Sequence, residues 1–250
     1  MRGLVQDLRY GLRALRRNPG FAAVATLVLA LGIGANTAIF SLINAILLQA
    51  PVTYREPSQL VFLWERSPQG RRASVSVPTF LDWHAHSRSF DDLTAVEGGA
   101  MVLTGGDQPE RIPVRRVSAS FFPMLGAQPA VGRAFIPEEY RPGAPGAVIL
   151  SHAIWFRRFG GDSAVIGRPI TLDDRSYVVV GVMRPSFRYH TTVEAFLPAG
   201  LEAAGTPRDE RTLTVIARLK RGVSLEQART ELDGIARNLA SSYPDTAKDW

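Results

Sequence analysis

The groups in this 250-residue chain that could do chemistry are its four histidines, its 23 acidic side chains and its 29 basic ones. They do not assemble into a recognisable site. His84 and His86 stand two apart in Pro78–Arg88, which reads as a short helix. At that spacing two side chains diverge and cannot share a metal. His152 follows Ser151, but Ser151 reads as a helix cap and no G-x-S-x-G elbow surrounds it. His190 stands alone, and there is no His-Glu-x-x-His. Acid pairs occur at Asp91-Asp92, Glu138-Glu139 and Asp173-Asp174. Glycosidase carboxylates face each other across a cleft of about 5–9.5 Å, which neighbours in a turn do not do. The glycine pairs 98–99, 105–106 and 160–161 lack dinucleotide-binding spacing and read as turns. Arg157-Arg158, between Trp155 and Phe159, reads as a solvated helix face over an aromatic anchor or as a partner surface. The absence of Cys excludes a disulfide framework, a thiolate metal site and a Cys nucleophile. The two lysines, Lys220 and Lys248, follow Leu219 and Ala247, so no Gly-Lys-Ser/Thr phosphate loop exists. The expectation is a protein that is not an enzyme, with no catalytic, cofactor-binding or metal residue.

The elements around these residues are more informative. The net charge of +6 is uneven. Residues 1–17 hold Arg2, Arg9, Arg13, Arg16 and Arg17 against Asp7, while residues 18–54 hold no charge. Two thirds of the net charge, +4 of +6, therefore lies in one short segment, with no basic, aromatic-interleaved stripe in the large C-terminal part; nucleic acid is not an expected partner. Leu4, Val5, Leu8, Leu12 and Leu15 recur at helical spacing opposite the arginines, predicting a cytoplasmic amphipathic helix over 1–18 that Asn18-Pro19-Gly20 breaks. Phe21–Leu48 is 28 residues without a charge. A bilayer core needs about 20 apolar helical residues, and a signal-peptide core has about 7–15. The pattern predicts a transmembrane helix over 20–48, with its surplus tilting or extending past the bilayer. Arg16-Arg17 place the N-terminus in the cytoplasm and 51–250 across the inner membrane. Within the span, Ala30, Gly34 and Ala38 form a small-residue stripe. Thr37, Ser41 and Asn44 form a polar one. Both suit packing against other helices.

Residues 51–250 read as a mixed α+β periplasmic domain in two lobes. Strands are expected at Leu60–Glu65, Thr94–Thr104, Ile112–Val117, Ala147–Leu150, Pro169–Leu172, Tyr177–Val182, Ala195–Pro198 and Thr212–Leu219. Helices are expected at Pro78–Arg88, around Phe121–Gly126, over Ala153–Phe159 and after the capping pair Ser224/Gln227. Leu225, Ala228, Leu232, Ile235, Ala236 and Leu239 give the last helix an apolar face that ends at Tyr243-Pro244. Strands at both ends imply an inserted lobe at about 119–205.

Taken in order, four phrases resemble the MacB-type permease family of ABC transport systems. They are LGIGANTAIFSLINAILL at Leu31–Leu48, LTGGDQPERIPVRRVSASFFPMLGAQPAVGRAF at Leu103–Phe135, VILSHAIWFRRFGGDSAVIGRPITLDDRSYVVVGVM at Val148–Met183, and RLKRGVSLEQARTELDGIARNLASSYPDT at Arg218–Thr246. The basic N-terminal helix and missing ATPase motif resemble the stand-alone permeases abundant in Acidobacteria. The resemblance implies a MacB-like periplasmic core over 51–250 and a four-span, dimeric permease driven by a separate ABC ATPase that binds the ATP. It also implies transmission of ATP-driven movement to the periplasm, in efflux with a periplasmic adaptor and an outer-membrane channel. The expected role is therefore the first span plus periplasmic core of an exporter or mechanotransmission complex. No second hydrophobic run precedes Trp250, so the chain reads as a piece of a longer permease or as a one-span relative. The alternative is a single-pass, membrane-anchored periplasmic interaction module with no transport of its own.

Overall fold

Pro19 opens a helix at no cost, because the first turn has no use for its missing N–H. From there α1 runs over Pro19–Ile43. Pro19 and Gly20, expected to break a preceding helix, thus form the first turn of this one. The computed structural model describes residues 19–43, 54–105, 108–189, 192–202 and 204–247. The amphipathic helix expected over 1–18, the end of the apolar run, Asn44 and His190 lie outside them. Side chains of α1 are described at 19–20, 23–24, 26–34 and 36–37. Among the described residues no helix is long and apolar enough to cross a membrane. The chain forms two units, Met1–Val52 and Thr53–Trp250.

The second unit is built on one ten-stranded sheet. Its strands are β1 (Leu60–Leu63), β4 (Val75–Ser76), β5 (Phe90–Thr104), β6 (Glu110–Val117), β7 (Pro129–Gly132), β8 (Ala147–Leu150), β9 (Pro169–Leu172), β10 (Arg175–Met183), β11 (Ala195–Pro198) and β12 (Arg211–Leu219). β2 (Glu65–Arg66) and β3 (Arg72–Ala73) form a separate hairpin. The sheet order is β1-β12-β5-β6-β11-β8-β10-β7, with β4 beside β12 and β9 beside β10 and β5. β11 runs parallel to β6, and β8 parallel to β10; the other pairs are antiparallel. The segment read as an inserted lobe, 119–205, thus contributes strands to the same sheet as β5, β6 and β12.

Side-chain alternation divides the core. Val148 and Leu150 of β8 enter one cluster with Ile112, Val114, Val179 and Leu197, and Ala147 and Ile149 enter another. α4 (His152–Phe159) lays Ile154 into the first cluster. The second is aromatic: Phe121 and Phe122 of α3 (Phe121–Leu125) meet Tyr189 and Phe196 edge-on at 5.0–5.4 Å. α2 (Val77–His86) and α5 (Leu225–Ser242) cover a third cluster, where Val75, Phe80, Trp83, Leu213, Val215, Ala217 and Ala228 meet. A short α6 (Pro244–Ala247) follows.

The capping residues act as their types demand. Ser76 accepts from Thr79 N, Ser151 from Ile154 N, and Ser224 from Gln227 N, with Gln227 Oε1 reciprocating to Ser224 N at 2.8 Å. β7 was not expected from its sequence, PAVG, which has no strand-like alternation. It forms because Gly132 (φ 78°) can lie against β10, where a Cβ would strike Val180 O and Gly181 Cα.

Candidate functional site

The groups that could do chemistry are scattered. His84 Nε2 lies 3.5 Å from Asp92 Oδ1 on the surface. His86 turns away, its Nδ1 2.9 Å from Asp82 O. His152 stacks on Phe156. Asp173 and Asp174 are the left-handed turn between β9 and β10, and Asp173 Oδ1 accepts from Val102 N at 2.8 Å. Glu139 accepts from Ile136 N and from both terminal nitrogens of Arg133. Arg157 is engaged inside the domain, forked onto Glu194 at 2.7 and 3.0 Å and reaching Glu110 at 2.6 Å. Arg158 donates to Gln108 O. Among the described residues no three His, Asp or Glu side chains gather to hold a metal.

Two other constellations stand out. The first lies where the chain enters the sheet domain, at Tyr54–Gln59. Arg218 ends the apolar strand β12 and is only 7% exposed. Its Nη2 donates to Arg55 O at 2.5 Å and Met124 O at 2.6 Å, and its Nη1 to Glu56 O at 3.1 Å. One guanidinium therefore ties the entry segment to both β12 and α3, a fork that only Arg supplies. Burial pulls its pKa below the ordinary value, and Glu56, 3.8 Å away, opposes that. Glu56 holds a left-handed backbone (φ 44°). A hydrogen bond from Arg221 at 2.6 Å holds its carboxyl below the usual range. Arg55 N donates to Leu125 O at 3.0 Å, and Tyr54 Oη to Arg188 O at 2.7 Å. Burial pushes the Tyr54 phenol up. Gly126 closes α3 at φ 69°, and a Cβ there would sit 3.0 Å from Arg55 Cβ.

The second is a groove of about 900 Å³ between β1, the β2–β3 hairpin and α5. Val61 and Leu63 face the helices, whereas Phe62 and Trp64 point the other way and stack on each other with ring centroids 6.2 Å apart. Leu225, expected on the buried face of α5, is 65% exposed at the groove. It is the first residue of the helix, and the apolar face is buried farther along, at Ala228. Glu65 and Arg211 form a buried ion pair at 2.5 Å beneath the groove, and Glu65 also accepts from Ser76 N.

Ala30, Gly34 and Thr37 lie on one face of α1, all exposed. Nothing described comes within 4 Å of a Cβ built at Gly34. Ala38 and Ser41 are on the same helix with side chains outside the description, and Asn44 lies beyond it. The entry clamp and the groove were missed from sequence. A signal for the clamp was present in Arg218, a charge closing a strand whose inner positions are otherwise apolar. The signal for the groove was LVFLW at 60–64, five apolar residues facing both sides of a strand.

The fold is a mixed α+β sheet domain of the kind seen in extracytoplasmic parts of ABC-type transporters. A domain of a putative permease protein from Porphyromonas gingivalis superposes with a TM-score of 0.59 at 16% identity, over 77% of this chain and 87% of that one. The extracellular domain of the noncanonic ABC-type transporter YknZ from Gram-positive bacteria gives 0.54 at 15% identity, over 75% and 95%. The periplasmic region of MacB from Actinobacillus actinomycetemcomitans gives 0.52 at 12% identity, over 71% and 78%. No curated protein matches the chain. The chain belongs to the MacB-like periplasmic core domain family, whose model matches residues 22–235. It is a periplasmic domain of the MacB-type ABC transporter permeases.

Proposed function

We propose that this chain supplies the first span and the periplasmic core of a MacB-type exporter or mechanotransmission complex, powered by a separate ATPase subunit. The observation that carries this reading is the reach of the family match, which begins at residue 22 inside α1 and ends inside α5. It therefore takes in the apolar helix together with the sheet domain. One feature supports a membrane role for α1. Leu27, Val28, Leu29, Leu31 and Ile33, spread around the helix, are 62–65% exposed, a broad apolar surface that suits lipid or other helices better than water. Arg16-Arg17 orient it with the N-terminus in the cytoplasm.

The entry clamp suits force transmission. Displacement of α1 reaches the sheet domain along the chain at Tyr54–Glu56. There Arg218 ties it to the long strand β12 and to the aromatic cluster under α3. Purification of the tagged chain from native membranes in a mild detergent tests the driven-permease reading. An ABC ATPase subunit in stoichiometric amount, with ATP hydrolysis by the purified complex, is the expected result. A chain that purifies from such membranes with no nucleotide-hydrolysing subunit contradicts it.

A further inference from the structure

We propose that the groove beside β1 docks an extended, acidic segment of a partner protein, which adds to the sheet as a strand along the free edge of β1. β1 pairs with β12 on one side, and among the described residues no strand pairs with the other. An unpaired edge offers main-chain donors and acceptors to any extended segment, and proteins usually blunt such edges with Lys, Pro or bulges. The opposite edge of this sheet is blunted: β7, as short as β1, begins with Pro129, which has no N–H to offer. β1 is not. Leu60–Trp64 carries no charge and no proline, and Phe62 and Trp64 remain 54% and 39% exposed.

The geometry on either side of the edge selects a strand. Alternate residues of an added strand would face the stacked Phe62–Trp64 pair on one side and Leu225 of α5 on the other. The rim selects its charge. Arg66, Arg71, Arg72 and Arg229 line the groove, all exposed, and no acidic side chain among the described residues pairs with them. Against these four cations stands Asp233 alone, since Glu65 is neutralised by Arg211. A second copy of this chain would bring an equally cationic rim to the same edge, so like-charge repulsion disfavours β1–β1 pairing and complementarity favours an acidic strand.

The probe is a fluorescein-labelled ten-residue peptide alternating Glu with Val and Ile, compared with its Lys-for-Glu counterpart. Both are titrated by anisotropy against the full chain in zwitterionic lipid nanodiscs. The acidic peptide should bind at least about tenfold more tightly than the basic one. It should weaken about tenfold between 0.05 and 0.5 M salt, and should slow hydrogen exchange at the amides of Leu60–Leu63. Phe62→Ser with Trp64→Ser should weaken it about tenfold. Arg66→Ser with Arg71→Ser and Arg72→Ser, all in the exposed hairpin, should weaken it and flatten the salt dependence, which keeps the test decisive if the aromatic variant fails to fold. Equal binding of both peptides, no binding, or binding without protection at Leu60–Leu63 would overturn the proposal. So would protection of those amides that rises with protein concentration in the absence of peptide, which would assign the edge to a second copy.

Discussion

Arg218 is buried, and its guanidinium serves three main-chain carbonyls rather than a carboxylate, so its removal has a computable and unusual signature. In Arg218→Ala, the carbonyls of exposed Arg55 and half-buried Glu56 regain water. The Met124 carbonyl, bonded at 2.6 Å in a buried setting, does not. A hydrogen bond from a charged donor contributes about 1.5–3 kcal/mol, and an abandoned buried acceptor costs about 1–3 kcal/mol. The release of Arg218 from its own desolvation offsets part of this. The net loss should be about 3 kcal/mol in urea unfolding of the full chain in non-ionic detergent, followed by tryptophan fluorescence. Arg218→Lys keeps the charge but not the fork, and should lose about half as much. Glu56→Gln should cost far less than Arg218→Ala, because its carboxylate stands 3.8 Å from Arg218 and its close partner, Arg221, is exposed. Hydrogen exchange should localise the effect to the Arg55 amide, which donates to Leu125 O. An unchanged midpoint in Arg218→Ala, or a loss of equal size in Glu56→Gln, would refute the assignment of the clamp to main-chain carbonyls.

Three further outcomes are expected. Gly126→Ala places a Cβ against Arg55 at a left-handed φ and should destabilise the chain by about 1–2 kcal/mol in the same unfolding assay. Glu231 fastens α5 to the loop after α2 by accepting from Arg88 N at 2.7 Å and Ser89 N at 2.9 Å. Burial pushes its carboxyl up, but those donors outweigh it and the net pKa is lowered; its stabilisation is thus complete above the unfolded value near 4.3 and is lost as pH falls through the lower folded value. Unfolding titrations of wild type and Glu231→Gln should therefore differ at pH 7 and converge as pH falls through the lowered folded value. In α1, Gly34→Leu should reduce chemical cross-linking of the chain to other membrane helices in native membranes, whereas Leu29→Ile, on another side of the helix, should not.

Regular elements were legible wherever local chemistry and burial agree. Ala147–Leu150, Pro169–Leu172 and Ala195–Pro198 were read to the residue, because each is a short apolar run bounded by turn formers. The Ser224/Gln227 capping box located the start of α5 for the same reason. The sheet order was not legible. β11 lies between β6 and β8, and β9 lies against β5, through pairings across tens of residues that no local pattern encodes. The entry clamp escaped detection because its acceptors are main-chain carbonyls, which have no sequence signature. Edge status hid the groove: LVFLW reads as a buried strand until the sheet order leaves β1 with one neighbour.

The absence of native cysteine allows topology to be measured with single introduced thiols. The central claim is a chain anchored through α1 with its sheet domain in the periplasm. Gln6→Cys and Asn238→Cys, the latter exposed on α5, can each be treated in intact spheroplasts with a membrane-impermeant maleimide. Asn238→Cys should be labelled before lysis and Gln6→Cys only after it. Labelling of Gln6→Cys in intact spheroplasts, or protection of Asn238→Cys until lysis, would contradict that claim.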